Sequence, residues 1–199
     1  MRKRTSHANG YTLAEMLVTV AIIGLFVLVS IPAFGSIQRR FALRAATAQL
    51  RAVFHATRMR AIARGQHSGL RFFRVGGEWS FAVYDDGDGD GLRNDDIARG
   101  VDTLVAPPRV IFPESRAITI GLLDRTIKDP DGQTLAPRDS PVQFNRSALA
   151  SFSPYGESTP GTIYITDRGR DLWAVRVYGA TAKIRVTRYD AATRKWVQP

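Results

Sequence analysis

The sequence predicts an α+β fold: one long N-terminal helix followed by an antiparallel β-sheet or sandwich. Three observations predict it. An uncharged apolar run extends from Met16 to Phe34. Small and apolar residues then continue at helical spacing as far as Ala63. After Gly65 the pattern changes to short alternating segments, separated by glycine, proline and aspartate.

The chain opens with a basic leader, Arg2, Lys3 and Arg4, that ends at Gly10; Tyr11 follows, and Glu15 stands at the head of the apolar run. A lone carboxylate at the margin of a membrane span is costly and calls for a partner. An ordinary secretory signal has a shorter core and its small-residue cleavage site after the core, whereas here the glycine precedes it. A plain signal anchor also supplies about 20 apolar residues, but leaves the spacing of glycine, aromatic and glutamate unexplained.

That junction, Gly10-Tyr11-Thr12-Leu13-Ala14-Glu15, resembles the N-terminus of type IV prepilins and of the pseudopilins of type II secretion. The resemblance implies cleavage after Gly10 by a membrane prepilin peptidase and N-methylation of Tyr11. It gives Glu15 an assembly role, neutralising the N-terminal amine of a neighbouring subunit. It also implies a single-pass protein of the bacterial inner membrane with a periplasmic C-terminal body. The leader's basic residues agree with that orientation, while Arg39 and Arg40 oppose it; the resemblance decides. The expected divisions are a leader over 1–10, a transmembrane half-helix over 11–36, an amphipathic half over 37–64 and a β-rich domain over 65–199.

In the second half-helix, Phe41, Ala45, Ala48, Leu50, Val53, Phe54, Thr57 and Ala61 recur at helical spacing, with most arginines on the other face. Gly65 supplies a stop. A helix from about 12 to 64 would be near 80 Å long at 1.5 Å per residue. Pro32 should kink or loosen it. Next, 70–75 and 79–84 around Gly76-Gly77 predict a β-hairpin. Further strands are expected at 110–112, 118–120, 142–144, 162–166, 173–177 and 183–187.

The tail segment from Phe152 to Ile163, with the strands after it, resembles the GspH/FimT branch of minor pseudopilins and minor pilins. That branch implies a β-sandwich body on the long helix and a place at or near the filament tip. Its members partner with other pseudopilins or pilins. Some capture DNA in natural transformation, through a Gly-Arg-x-Arg segment near the C-terminus. Here Ala182-Lys183-Ile184-Arg185 lacks the glycine and the first arginine. Arg170, Lys183, Arg185 and Arg188 are the DNA-contact candidates, and the alternative is a solvent-facing basic strand.

The run Asp85-Asp86-Gly87-Asp88-Gly89-Asp90-Gly91, with Asp95 and Asp96 beyond it, offers alternate carboxylates to a hard cation. Asp86, Asp88 and Asp90 occupy the first three places of a calcium loop, but Ile97 stands where its closing glutamate belongs. Asp95 or Asp96 would close a shortened loop, making calcium a structural ion; the alternative is a solvated acidic turn. Cysteine is absent, so no disulfide or thiolate metal site exists. Only three histidines occur, one of them in the leader. No nucleophile–base constellation emerges, and the expectation is a protein that is not an enzyme. The net charge of +10 fits an anionic partner or an arginine-rich surface.

Overall fold

A computed structural model describes residues 12–113, 117–145, 147–168 and 171–199, with the backbone alone described for 28–37. The chain divides into two compact units, one ending at Arg40 and the other running from Phe41 to Pro199. Helix α1 (Leu13–Arg64) contributes to both, and its helical backbone continues through Pro32. It stops as the sequence predicts. Gly65 takes φ +67°, its N–H donates to the Ile62 carbonyl and the Gln66 N–H to the Ala61 carbonyl, both at 3.3 Å. This reciprocal pair closes a Schellman motif.

The buried face of α1 differs in phase from expectation at its start. Leu43, Ala46, Leu50, Phe54 and Ala61 are buried, together with Thr47 and Thr57. Phe41, Ala45 and Ala48 are exposed. Leu43 sets the stripe, which then advances by three or four residues per step. The two threonines do not break the apolar contact. Their hydroxyls donate back to the carbonyls of Leu43 and Val53, each at 3.0 Å.

Beyond the helix lie β1 (Ser68–Val75), β2 (Glu78–Asp85), α2 (Asn94–Arg99), β3 (Thr103–Val110), β4 (Thr119–Ile120), β5 (Ile127–Lys128), β6 (Thr134–Leu135), β7 (Val142–Phe144), β8 (Leu149–Phe152), β9 (Gly161–Thr166), β10 (Leu172–Val177), β11 (Ile184–Asp190) and β12 (Lys195–Val197). The expected hairpin is β1–β2, with Val75 opposite Glu78. Gly76 and Gly77 both have positive φ, as the tight two-residue turn requires. Of the strand expected at 110–112, only Val110 is in a strand, as the last residue of β3, which begins at Thr103; Ile111 and Phe112 lie beyond it.

One sheet runs β3-β2-β1-β8 and a second runs β12-β11-β10-β9-β4, with β7 also paired to β9. The β5–β6 pair forms a small third sheet, and every ladder is antiparallel. Strand β3 is an edge, and it carries Pro107 and Pro108. Proline cannot donate to a ladder. Accordingly the β2–β3 register shifts between Phe81, opposite Arg109, and Val83, opposite Ala106.

The main core joins α1 to both larger sheets. It contains Leu43, Leu50 and Phe54 from the helix, Phe72, Phe81 and Phe152 from the first sheet, and Ile163, Trp173 and Val175 from the second. Phe54 lies at its centre, with ring centroids 6.0–6.1 Å from Phe72, Phe144 and Phe152. A smaller core forms from Leu123, Ile127, Leu135, Tyr164, Leu172, Ala174 and Tyr189. Successive residues of β9 and β10 enter the two cores alternately, so these strands are buried on both sides. That is why 162–166 and 172–175 are nearly continuous in apolar residues.

Candidate functional site

The head of α1 is built by Thr12. Its hydroxyl accepts the Glu15 N–H at 3.3 Å, and its carbonyl accepts the Met16 N–H at 3.1 Å. Thr-x-x-Glu is a capping-box sequence, and a carboxylate in the first turn suits the positive end of the helix dipole. Local helix chemistry alone therefore accounts for an acid at this position. It does not account for the apolar surface of the next turns. Leu13, Met16, Leu17, Val18, Val20, Ile22, Ile23, Leu25, Phe26 and Val27 are all exposed, several by more than 60%. A helix apolar on every side is stable only when another apolar phase covers it. Among the described residues, no helix is long and apolar enough to cross a membrane. Gly10 and Tyr11 lie outside the described residues.

The acidic run splits among different partners. Asp85, buried at the end of β2, takes a two-point contact from the Arg60 guanidinium, with its shortest distance 2.6 Å. It also accepts the Ser68 hydroxyl at 2.6 Å. Burial pushes its carboxyl up, but those two hydrogen bonds and the charges of Arg60 and Arg64 prevail and hold it below the ordinary range. Asp86, also buried, caps the following turn. Its carboxylate accepts the N–H groups of Asp88, Gly89 and Gly91 at 3.2, 2.8 and 2.9 Å.

Asp102, absent from the expected set, is buried beside that turn and accepts the N–H groups of Gly87 and Arg93 at 3.3 and 3.2 Å. The approach is close enough to require Gly87: a Cβ there would stand 1.9 Å from the Val101 carbonyl oxygen. Asp86, Asp88 and Asp102 are the carboxylates brought together among the described residues, each offering an oxygen within 4.8 Å of the others. Asp90 instead pairs with Arg93. Asp95 and Asp96 form the first turn of α2, where Asp96 pairs with Arg99. Asp102 lies too far along the chain from the acidic run for spacing to find it; the return of β3 beside β2 brings it in.

The basic tail is likewise divided. Lys183 and Arg185 are exposed, but Arg185 and Arg188 are three apart on β11 and so project from opposite faces. Arg185 lies directly opposite Arg176 on β10, and Arg176 is neutralised by Asp131. Arg170 lies outside the described residues.

With this geometry established, comparison with known families identifies one segment. Residues 5–31 match the prokaryotic N-terminal methylation motif. The prepilin-type motif supports the type IV pilin and pseudopilin class, with peptidase processing and assembly into pili or pseudopili. It spans residues 5–10 of the leader, Glu15 and the exposed apolar part of α1, and it stops before the globular unit begins. Neither curated proteins nor solved structures give a match.

Proposed function

We propose that the chain is a minor pseudopilin or pilin subunit of GspH/FimT type, acting at or near the tip of a type II secretion pseudopilus or type IV pilus. The observation that carries this reading is Glu15 at the head of an exposed apolar helix, within the methylation motif. In the proposal, prepilin peptidase cuts after Gly10 and a methyltransferase modifies the amine of Tyr11. The segment 11–36 anchors the protein in the inner membrane, and the unit after it is a periplasmic β-sandwich that packs among other subunits. The role is structural and not enzymatic.

Glu15 would pair with a neighbour's N-terminal amine, and breaking such a desolvated pair costs about 3–5 kcal/mol. Mass analysis of the protein from its host should find a methylated Tyr11 at the terminus. Glu15→Ala should remain membrane-inserted but lose at least about tenfold of its recovery with other subunits, as a penalty of that size more than allows. An intact Met1, or undiminished recovery of the variant, refutes the reading.

Calcium at the acidic loop is part of the same proposal, with a revised ligand set. Asp86, Asp88 and Asp102 supply three hard oxygen donors of the six to eight that calcium takes. Carbonyls and water would complete the shell. Calcium should raise the melting temperature of the native protein, chelator should reverse the gain, and Asp102→Asn should abolish it. A melting temperature indifferent to calcium and chelator leaves these carboxylates as acceptors for backbone N–H groups alone.

Transformation-type DNA capture is not adopted. The separation of Arg185 and Arg188 onto opposite faces of β11 argues against a continuous basic stripe.

A further inference from the structure

The β5–β6 hairpin closes the small core, and the way it is attached leaves a cavity beside it. Arg176 on β10 grips Asp131 at the hairpin turn, and the Trp196 indole N–H donates to the Lys128 carbonyl at 2.8 Å. Between this hairpin and the β11–β12 turn is a cavity of about 410 Å³. Ile127 and Tyr189 reach it from the small core, and most of the remaining lining is polar. Its walls carry Arg125, Lys128 and Arg194, with the Thr134 hydroxyl accepting from the Lys128 ammonium at 3.1 Å.

These three cations lack counter-charges. Among the described residues none of them forms an ion pair, and no carboxylate lines the cavity. Three nearby acids have other partners. Asp131 is held by Arg176, and Asp129 accepts the N–H groups of Asp131 and Gln133. Asp190 accepts the Ala192 N–H and the Thr193 hydroxyl within its own turn. Three like charges facing one concavity repel one another until an anion enters. Two arginine forks and an ammonium suit a doubly charged phosphoryl group in particular. The cavity exceeds the size of a bare phosphate and falls in the range of small-ligand sites, which leaves room beside Ile127 and Tyr189 for a small organic substituent.

We propose that this cavity binds the phosphate monoester of a small organic group, glycerol phosphate being the simplest form, either free or as a lipid headgroup. Arg125 and Arg194 grip the phosphoryl oxygens, Lys128 adds the third charge, and Tyr189 with Ile127 contacts the substituent. This site goes beyond the assembly role and does not depend on it.

The test uses the full chain in neutral detergent, titrated calorimetrically with glycerol 3-phosphate and with inorganic phosphate. In parallel, reconstituted protein is mixed with vesicles of phosphatidylcholine, with or without phosphatidic acid. The Arg125→Gln/Arg194→Gln double variant changes exposed side chains only, and its unliganded melting temperature should match the parent. Expected is saturable binding, weakened at least about tenfold by the double variant through loss of two charge-assisted contacts. Arg51→Gln, an exposed cation on α1, should bind as the parent does. Binding of the soluble ester supports a free ligand, and binding confined to phosphatidic acid vesicles supports a headgroup. Absence of both, or equal binding by the double variant, overturns the proposal. So does binding of a single-stranded oligonucleotide alone, which would assign these cations to a nucleic-acid surface.

Discussion

Asp85, the last residue of β2, ties the first sheet to α1 through Arg60, and its protonation should weaken that tie. Its folded pKa is depressed, so the unfolded chain takes up a proton more readily than the folded one. The stabilisation from the Arg60 contact is therefore complete above the unfolded carboxylate value, about pH 4, and is lost as pH falls through the folded value. Asp85→Asn should cost roughly 2–3 kcal/mol at pH 7, since it removes a charge-assisted two-point contact from a partner that is 29% exposed. The variant should also lose the part of the parent's acid destabilisation that this pair contributes. Thermal unfolding at pH 3 and pH 7 checks both; an unchanged acid destabilisation would show that the pair does not contribute to it. Neither partner was legible as a pair, because Arg60 and Asp85 meet only once β2 folds back on the helix. The same holds for Asp102. Spacing found the acidic run but not the residue that completes the cluster, whereas Gly10, Tyr11 and Glu15 form a local pattern within the matched motif.

The C-terminal half of α1 is an element of the globular unit, which begins at Phe41. Phe54 is fully buried against three aromatic rings, and Leu43 and Leu50 continue the same stripe. A fragment beginning at Phe41 should unfold cooperatively. One beginning at Gly65 should lack a cooperative transition and bind hydrophobic dye, because it forfeits several large buried side chains worth about 2–5 kcal/mol each. Circular dichroism on heating separates the outcomes, and a cooperative melt of the shorter fragment would contradict this placement of the core. The long strands were legible because alternation persists over several residues and Gly76-Gly77 marks a turn. By contrast β5, β6 and β12 extend only two or three residues and lack the apolar–polar–apolar triplet that marked the equally short β4 and β7 as Ile118-Thr119-Ile120 and Val142-Gln143-Phe144. The helix stripe was read out of phase near its start because Phe41 is large and apolar yet exposed, while Leu43 two residues later turns inward.

At the scale of the whole molecule, the second sheet is the organising layer of the globular unit. Its central strands serve a large aromatic core on one side and a smaller one beneath the β5–β6 hairpin on the other. A sequence reading in short alternating segments anticipates a sheet but not a second core behind it. The residues closing that core are scattered from Leu123 to Trp196 and carry no common spacing. The margin of the first sheet has a consequence of a different kind. With Pro107 and Pro108 in its outermost strand and the ladder slipping beside them, that border cannot seat an incoming extended chain residue by residue. A crowded population of these domains is thereby shielded from fibrillar stacking along that flank, leaving lateral association to surfaces other than strand edges there.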